Sequence, residues 1–304
     1  MRRANAQPVA RVTAAETRAG AALGLALAIL VAASAGAQSA LPNSREAHAL
    51  VDRAFQNLYA DDYVQGLWLK TRARGGREMS RRLQIVRKQS ERPGKALVRF
   101  LEPYAVRHTA ILVLENDGAS DDQYVYLPAA ERTMHLSAAQ RADSFFGTDL
   151  AYEDLEPKYA ADYEVTAVGQ EHFAELPCFV LEIRPLPHFD SSYEHMRTCL
   201  EPERAIMLWT DFHRRGRLWK RLEIDPEEVR PVQERFIPFR MTMSTPRQRS
   251  ETLVLTDSYE LRPAIPEKIF SVFNLEAGDA KRDRARAAGE GESGPPDVAA
   301  GPPE

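Results

Sequence analysis

Along residues 43–60 the apolar side chains Ala47, Leu50, Val51, Ala54, Phe55 and Leu58 recur every three or four positions. That spacing lines up one face of a helix and predicts a helix over 43–60. Asn43, followed three residues later by Glu46, predicts a capping box at its start. After Asp62 the period changes from helical to two. Phe179, Leu181 and Ile183 alternate with Cys178, Val180, Glu182 and Arg184, and Tyr163, Val165 and Ala167 alternate with Glu164, Thr166 and Val168. Leu253, Leu255 and Tyr259 share one parity within 251–261, and further strands are predicted at 64–73, 78–89, 95–102, 108–115, 123–128, 205–213, 217–225 and 233–243. Gly75-Gly76 and Arg215-Gly216 stand where hairpin turns are needed, and Pro93-Gly94 and Asn116-Asp117-Gly118 are further turn signals. The expectation is a mainly β (α+β) fold: a strongly curved, incomplete antiparallel β-barrel of about eleven strands, because a sheet that long must curl to bury one face and limit its edges. A helix laid on the concave face of such a sheet encloses an apolar cavity.

The two ends of the chain follow other patterns. Arg2, Arg3, Arg11 and Arg18 precede an apolar run over 21–33, and Ser34-Ala35-Gly36-Ala37 follows it. Basic, apolar, small is the order of a secretory signal peptide, with cleavage expected between Ala37 and Gln38. The apolar run is 13 residues, and a spanning helix needs about 20. The expected divisions are therefore a signal peptide over 1–37, a binding domain over 38–276 and a tail over 277–304. The tail has Val298 as its only large apolar residue among many Gly, Pro, Ala and charged positions, a composition that cannot offset its ordering entropy and predicts disorder.

Charge narrows the function. The chain has 40 Lys+Arg and 44 Asp+Glu. Removing residues 1–37 takes away four Arg and Glu16, so 36 basic and 43 acidic residues remain, a formal charge of −7. This argues against a nucleic-acid binder, which needs a basic face for phosphates. It also argues against charge-driven binding to anionic membrane surfaces.

The two cysteines, Cys178 and Cys199, sit in segments that read as neighbouring strands. A hairpin centred near 188–189 places Cys178 opposite Cys199 and Glu182 opposite His195. Opposite positions are close enough for a disulfide, and export puts the thiols in an oxidising compartment. The alternative is two buried free thiols.

Chemistry leaves few marks. G-x-S-x-G, H-E-x-x-H, phosphate-loop and C-x-x-C motifs are all missing. His188 and His195 flank an acidic segment where a metal site is conceivable, but the ligand spacing is not diagnostic, and solvated hairpin residues are the better reading. Glu153 and Asp154 are adjacent carboxylates that an acid–base pair could use; in a loop such neighbours more often cap backbone donors. Gly66-Leu67-Trp68 and Thr210-Asp211-Phe212 mimic lipocalin motifs, but they stand too far apart for an eight-stranded barrel with ordinary loops.

One stretch is more specific. Residues 95–156 contain Arg99-Phe100, Pro103, Tyr126-Leu127-Pro128 and Arg132. They continue with Arg141, Asp143, Ser144-Phe145-Phe146-Gly147-Thr148-Asp149 and Tyr152-Glu153-Asp154-Leu155. This region resembles the LolA-like outer-membrane lipoprotein-sorting family, in the branch with an SFFGTDLAYEDL-type box. The likeness extends more weakly to Leu275. His108-Thr109-Ala110 and Leu150-Ala151 depart from the family's usual residues. The resemblance implies a curved, incomplete barrel with helices over its open side. It implies a periplasmic carrier or chaperone that shelters acyl chains of a lipoprotein or phospholipid on the way to the outer membrane. Partners would be an inner-membrane transporter and an outer-membrane acceptor, with a monomeric carrier, no cofactor, no metal and no catalysis. The box residues Arg141, Asp143, Ser144, Gly147, Thr148, Asp149, Glu153, Asp154 and Leu155 would shape the cavity rim, and Phe145, Phe146 and Tyr152 would offer apolar surface to ligand or core. Two other readings remain: an accessory hydrophobic-ligand-binding protein of an inner-membrane RND-type exporter, and an envelope hydrolase whose triad is assembled only in space.

Overall fold

A computed structural model describes residues 40–89, 93–116 and 121–276. The predicted signal peptide with its Ala37–Gln38 cleavage site, the tail over 277–304, and Asp117-Gly118 lie outside the described residues.

Helix α1 spans Ser44–Tyr59, as the periodicity predicts. Asn43 caps it: its Oδ1 accepts from the Glu46 amide at 3.1 Å, and the Glu46 carboxylate accepts from the Asn43 amide at 2.9 Å. The stripe Ala47, Val51, Ala54 and Phe55 is buried.

Strands follow, beginning with β1 (Tyr63–Arg72), β2 (Glu78–Lys88), β3 (Lys95–Glu102), β4 (Ala110–Leu114), β5 (Asp122–Leu127) and β6 (Arg132–His135). A short helix α2 (Ala138–Arg141) and a 3₁₀ turn at Tyr152–Leu155 bracket the aromatic box. Then come β7 (Tyr163–Phe173), β8 (Leu176–Pro185), β9 (His195–Glu201), β10 (Ile206–Arg214) and β11 (Arg217–Ile224). The last four are β12 (Val229–Val232), β13 (Arg235–Pro238), β14 (Arg240–Thr245) and β15 (Ser250–Leu261). Thirteen of them form one antiparallel sheet in the order β6-β5-β4-β3-β2-β1-β15-β14-β11-β10-β9-β8-β7, and β12 and β13 form a separate pair. The β1–β2 and β10–β11 turns fall at Gly75-Gly76 and Arg215-Gly216, as expected. Arg215 and Gly216 both take left-handed backbone, φ 53° and 66°, which matches the twist of a tight hairpin.

The strand count corrects the expectation of about eleven. Strand β6 was not foreseen. The segment 233–243, read as one strand, breaks at Pro238-Phe239: β13 pairs with β12, while β14 joins the large sheet. The β8–β9 register is a second correction. Val180 faces Cys199, and Glu182 faces Arg197 rather than His195. Residues 186–194 form a long connection rather than a tight symmetric turn, and Ser191 and Ser192 within it are held by Glu153. The two cysteines are therefore diagonal neighbours, and they are joined in a Cys178–Cys199 disulfide with Cα atoms 5.4 Å apart.

Alternation sorts the strands onto two faces. Leu181 and Ile183 of β8 pack with the α1 stripe, while Cys178 and Val180 pack with Val229 of β12 on the other side. In β3, Val98 and Phe100 pack with Phe145 of the box, whereas Leu97 packs with Phe270 and Leu275. Among the described residues, no helix is long and apolar enough to cross a membrane.

Candidate functional site: an apolar cavity with a charged end

The inward parity of eight neighbouring strands converges on one cavity of about 240 Å³. Leu69 of β1, Leu83 and Ile85 of β2 and Val98 of β3 line one part. Met196 of β9, Met207 and Phe212 of β10 and Leu222 of β11 line another, with Met241 of β14 and Val254 of β15 between them. Strands β3 and β9 stand far apart in the sheet order yet share this cavity, so the sheet bends around it. Helix α1 adds Ala54, Phe55, Leu58 and Tyr59. Met196, Met207, Met241 and Met243 all line the wall, four of the chain's seven methionines. Unbranched, polarizable thioethers adapt to an irregular or variable ligand better than branched side chains do.

The box over 141–155 lies against this cavity, but its aromatic residues divide. Phe145, 1% exposed, lines the cavity together with Leu150 and Leu155. Phe146 and Tyr152 are half-buried and do not line it; they pack on Phe145 with ring centroids 5.4 and 5.5 Å away. Phe100 completes the cluster, 5.6 Å from Phe145 and 4.8 Å from Phe146. Centroid distances of this size are those of favourable aromatic pairs. Phe146 and Gly147 take positive φ, 49° and 73°; glycine accepts this without strain.

Buried polar ties hold the box. Arg141 donates to both Glu156 oxygens, at 2.6 and 2.5 Å, and Gln123 donates to the same carboxylate at 2.6 Å. The Glu153 carboxylate accepts from Ser191 Oγ at 2.5 Å and the Ser192 amide at 3.0 Å. Asp149 accepts from Ser250 Oγ at 2.5 Å and Thr252 Oγ1 at 2.8 Å. Thr148 and Ser144 hydroxyls donate to the carbonyls of Phe145 and Thr148, at 2.7 and 2.6 Å. Asp143 closes the loop through its backbone: its amide donates to Gln140 and its carbonyl accepts from Tyr152. Asp154 accepts from the Ala151 amide at 2.7 Å, from Tyr193 Oη at 2.9 Å and from Lys220 Nζ. Burial pushes the Asp154 carboxyl up, but Lys220 and Lys158 outweigh it and hold it below the usual carboxylate range. Glu153 and Asp154 thus serve as anchors for the loop.

Sequence reasoning missed the cavity's charged end. Arg87 and Lys158 both line it and are 4% and 9% exposed. Arg87 has the parity of Leu83 and Ile85 in β2, so a cation closing an apolar stripe was the available signal. Its Nε donates to Tyr63 Oη at 3.1 Å, one terminal nitrogen to Gln89 Oε1 at 3.4 Å and the other to the Leu155 carbonyl at 2.6 Å. Its guanidinium lies 5.5 Å from the Tyr59 ring centre. Lys158 Nζ donates to the Glu153 carbonyl at 3.3 Å.

The histidines flagged in the sequence have separate partners. His195 stacks on His213 with centroids 4.3 Å apart, and His188 approaches Asp162 at 3.5 Å. Among the described residues, no group of three or more His, Cys, Asp or Glu is placed to hold a metal ion.

A family model described as "Uncharacterized protein" (-like) matches residues 93–277. No curated protein matches the sequence. Three solved structures share the fold. A DUF1329 family protein from Desulfovibrio piger has a TM-score of 0.71 and 21% identity, covering 76% of this chain and 98% of that one. A domain from Vibrio parahaemolyticus described as outer membrane lipoprotein-sorting has a TM-score of 0.70 and 22% identity, covering 77% and 100%. A LolA superfamily protein from Nitrosomonas europaea has a TM-score of 0.59 and 20% identity, covering 74% and 97%.

Proposed function

We propose, from the premise that the chain belongs to the uncharacterized-protein family whose model spans residues 93–277 and has the fold of the LolA superfamily, that it is an exported carrier of acyl chains in a two-membrane envelope. The observation that carries this reading is the cavity: an apolar, methionine-rich interior shared by α1, the box, eight strands of the large sheet and β13. In this reading the open sheet is an incomplete barrel, and α1 with the segment from α2 to Lys158 covers its open side. Each CH₂ removed from water contributes about 0.8 kcal/mol, so a dry cavity holds a chain without covalent chemistry. The basic–apolar–small leader fits delivery to the periplasm, and the disulfide suits an oxidising compartment. The lipoprotein-sorting description of the Vibrio domain supports a cargo handed between membranes.

Native mass spectrometry of the protein isolated from its own envelope, followed by lipid extraction, tests the reading. The expected result is a protein carrying acyl-containing mass that delipidation removes and added lipid restores. An empty protein that takes up no acyl compound would contradict it.

A further inference from the structure

Four cations are buried around the box, and their partners divide them into two pairs. Arg141 and Lys220, 5% and 1% exposed, are each neutralised by a carboxylate, Glu156 and Asp154. Neither lines the cavity. Arg87 and Lys158 do line it, and their N–H groups donate to a phenol, an amide oxygen and backbone carbonyls. Among the described residues no carboxylate forms an ion pair with either. An unpaired buried cation is costly unless an anion completes it. Donors also remain. An ammonium has three N–H groups and a guanidinium five, and one and three of these are used here. Arg87 donates to the Leu155 carbonyl and Lys158 to the Glu153 carbonyl, so both cations are tied to the same short segment at one end of the cavity. Asp154 also lines the cavity, but its carboxylate is engaged by Lys220, Tyr193 and the Ala151 amide. Burial works against the charge on Lys158, but Tyr163, Tyr59, Glu153 and Asp154 outweigh it and keep the ammonium protonated.

We infer that the ligand of this cavity is an anionic amphiphile, an acyl chain ending in a carboxylate or a phosphate, whose head group is bound by Arg87 and Lys158 while the chain lies along the methionine-lined wall. This rests on the acyl-carrier reading and narrows its cargo. The acylated end of a triacylated lipoprotein has only esters, an amide and a thioether, with no anion for these cations. Fatty acids and acidic phospholipids supply one.

Displacement of the neutral fluorophore N-phenyl-1-naphthylamine at pH 8 tests it with four ligands of one chain length: dodecanoate, dodecyl phosphate, dodecanol and dodecyltrimethylammonium. The expected result is that at least one anion binds about ten- to a hundredfold more tightly than dodecanol, the range of a hydrogen-bonded charge. The stronger of the two anions distinguishes a carboxylate from a phosphate source. In Lys158→Met and Arg87→Gln the anion's advantage over dodecanol, measured within each variant, should fall towards parity. Equal binding of all four ligands by the wild type, or preference for the ammonium, overturns the head-group site and leaves the carrier reading standing. Binding of none overturns both. The wild-type comparison decides the matter even where a variant does not fold.

Discussion

Helix α1 and the loop from Arg141 to Lys158 both line the cavity, one through Phe55 and Leu58, the other through Phe145, Leu150 and Leu155. The helix is held by an apolar stripe packed on β7, β8 and β9, and its cross-links join side chains to backbone groups: His48 to the Ala160 carbonyl at 2.9 Å, Arg53 to the Pro202 and Glu203 carbonyls at 3.4 and 3.0 Å, and Asn57 to the Arg204 and Ala205 carbonyls at 2.9 and 3.2 Å and to the Phe236 amide at 3.4 Å. The loop is held by buried carboxylates, each with two or more donors. Apolar contact is non-directional and tolerates small shifts; a buried ion pair loses its compensation when its partner moves. The difference assigns the two walls different tasks. The loop fixes the positions of Phe145 and Lys158, and the helix is the wall whose contacts tolerate displacement.

The largest test of that contrast removes a tie from the loop. Arg141→Ala leaves Glu156 buried without its cation and should cost about 3–5 kcal/mol of unfolding free energy in urea titration. The double change Arg141→Met with Glu156→Leu should recover most of it. A single-mutant loss below about 1 kcal/mol would mean the loop is not held by its ion pairs.

A pH experiment comes next. Burial, with Glu156 and Glu115 nearby, pushes the Asp121 carboxyl up to about 7. Its folded value lies above its unfolded one, so the folded state binds the extra proton between about pH 4 and 7, and stability falls as pH rises through that window. Asp121→Asn should therefore stabilise the protein by more than about 1 kcal/mol at pH 8 and have almost no effect at pH 4. Equal melting shifts at both pH values would contradict this.

On the helix side, Asn43→Ala removes the cap and should cost about 1 kcal/mol. Hydrogen exchange should show faster opening in α1 and no change across 141–158; a uniform change would mean the two walls open together. The smallest effect is expected at Arg72, whose partners Glu78 and Glu251 are solvent-exposed. Arg72→Ala should shift stability by less than about 0.5 kcal/mol.

How much could be read beforehand follows the same division. α1 was legible because its stripe and cap are local, with every signal inside Asn43 to Leu58. The tight hairpins were legible from Gly75-Gly76 and Arg215-Gly216. The β8–β9 register was not, because Glu153 draws Ser191 and Ser192 from far along the chain and displaces the pairing. Residues 233–243 read as one strand because alternation does not reveal a change of partner at Pro238-Phe239. The box was visible through its resemblance, but not the separation of Phe145 from Phe146 and Tyr152, which depends on where Phe100 stands. Arg87 and Lys158 lie in different segments and meet only after the sheet bends.

In the carrier reading an acyl chain occupies the space between α1 and the sheet. A fatty acid with a diazirine near its methyl end, photolysed in the complex and mapped by peptide mass spectrometry, tests it most directly. Crosslinks are expected at cavity residues such as Leu58, Leu69, Met207 and Met241. Crosslinks confined to exposed apolar residues such as Tyr104 and Phe273, with the cavity unlabelled, would contradict it.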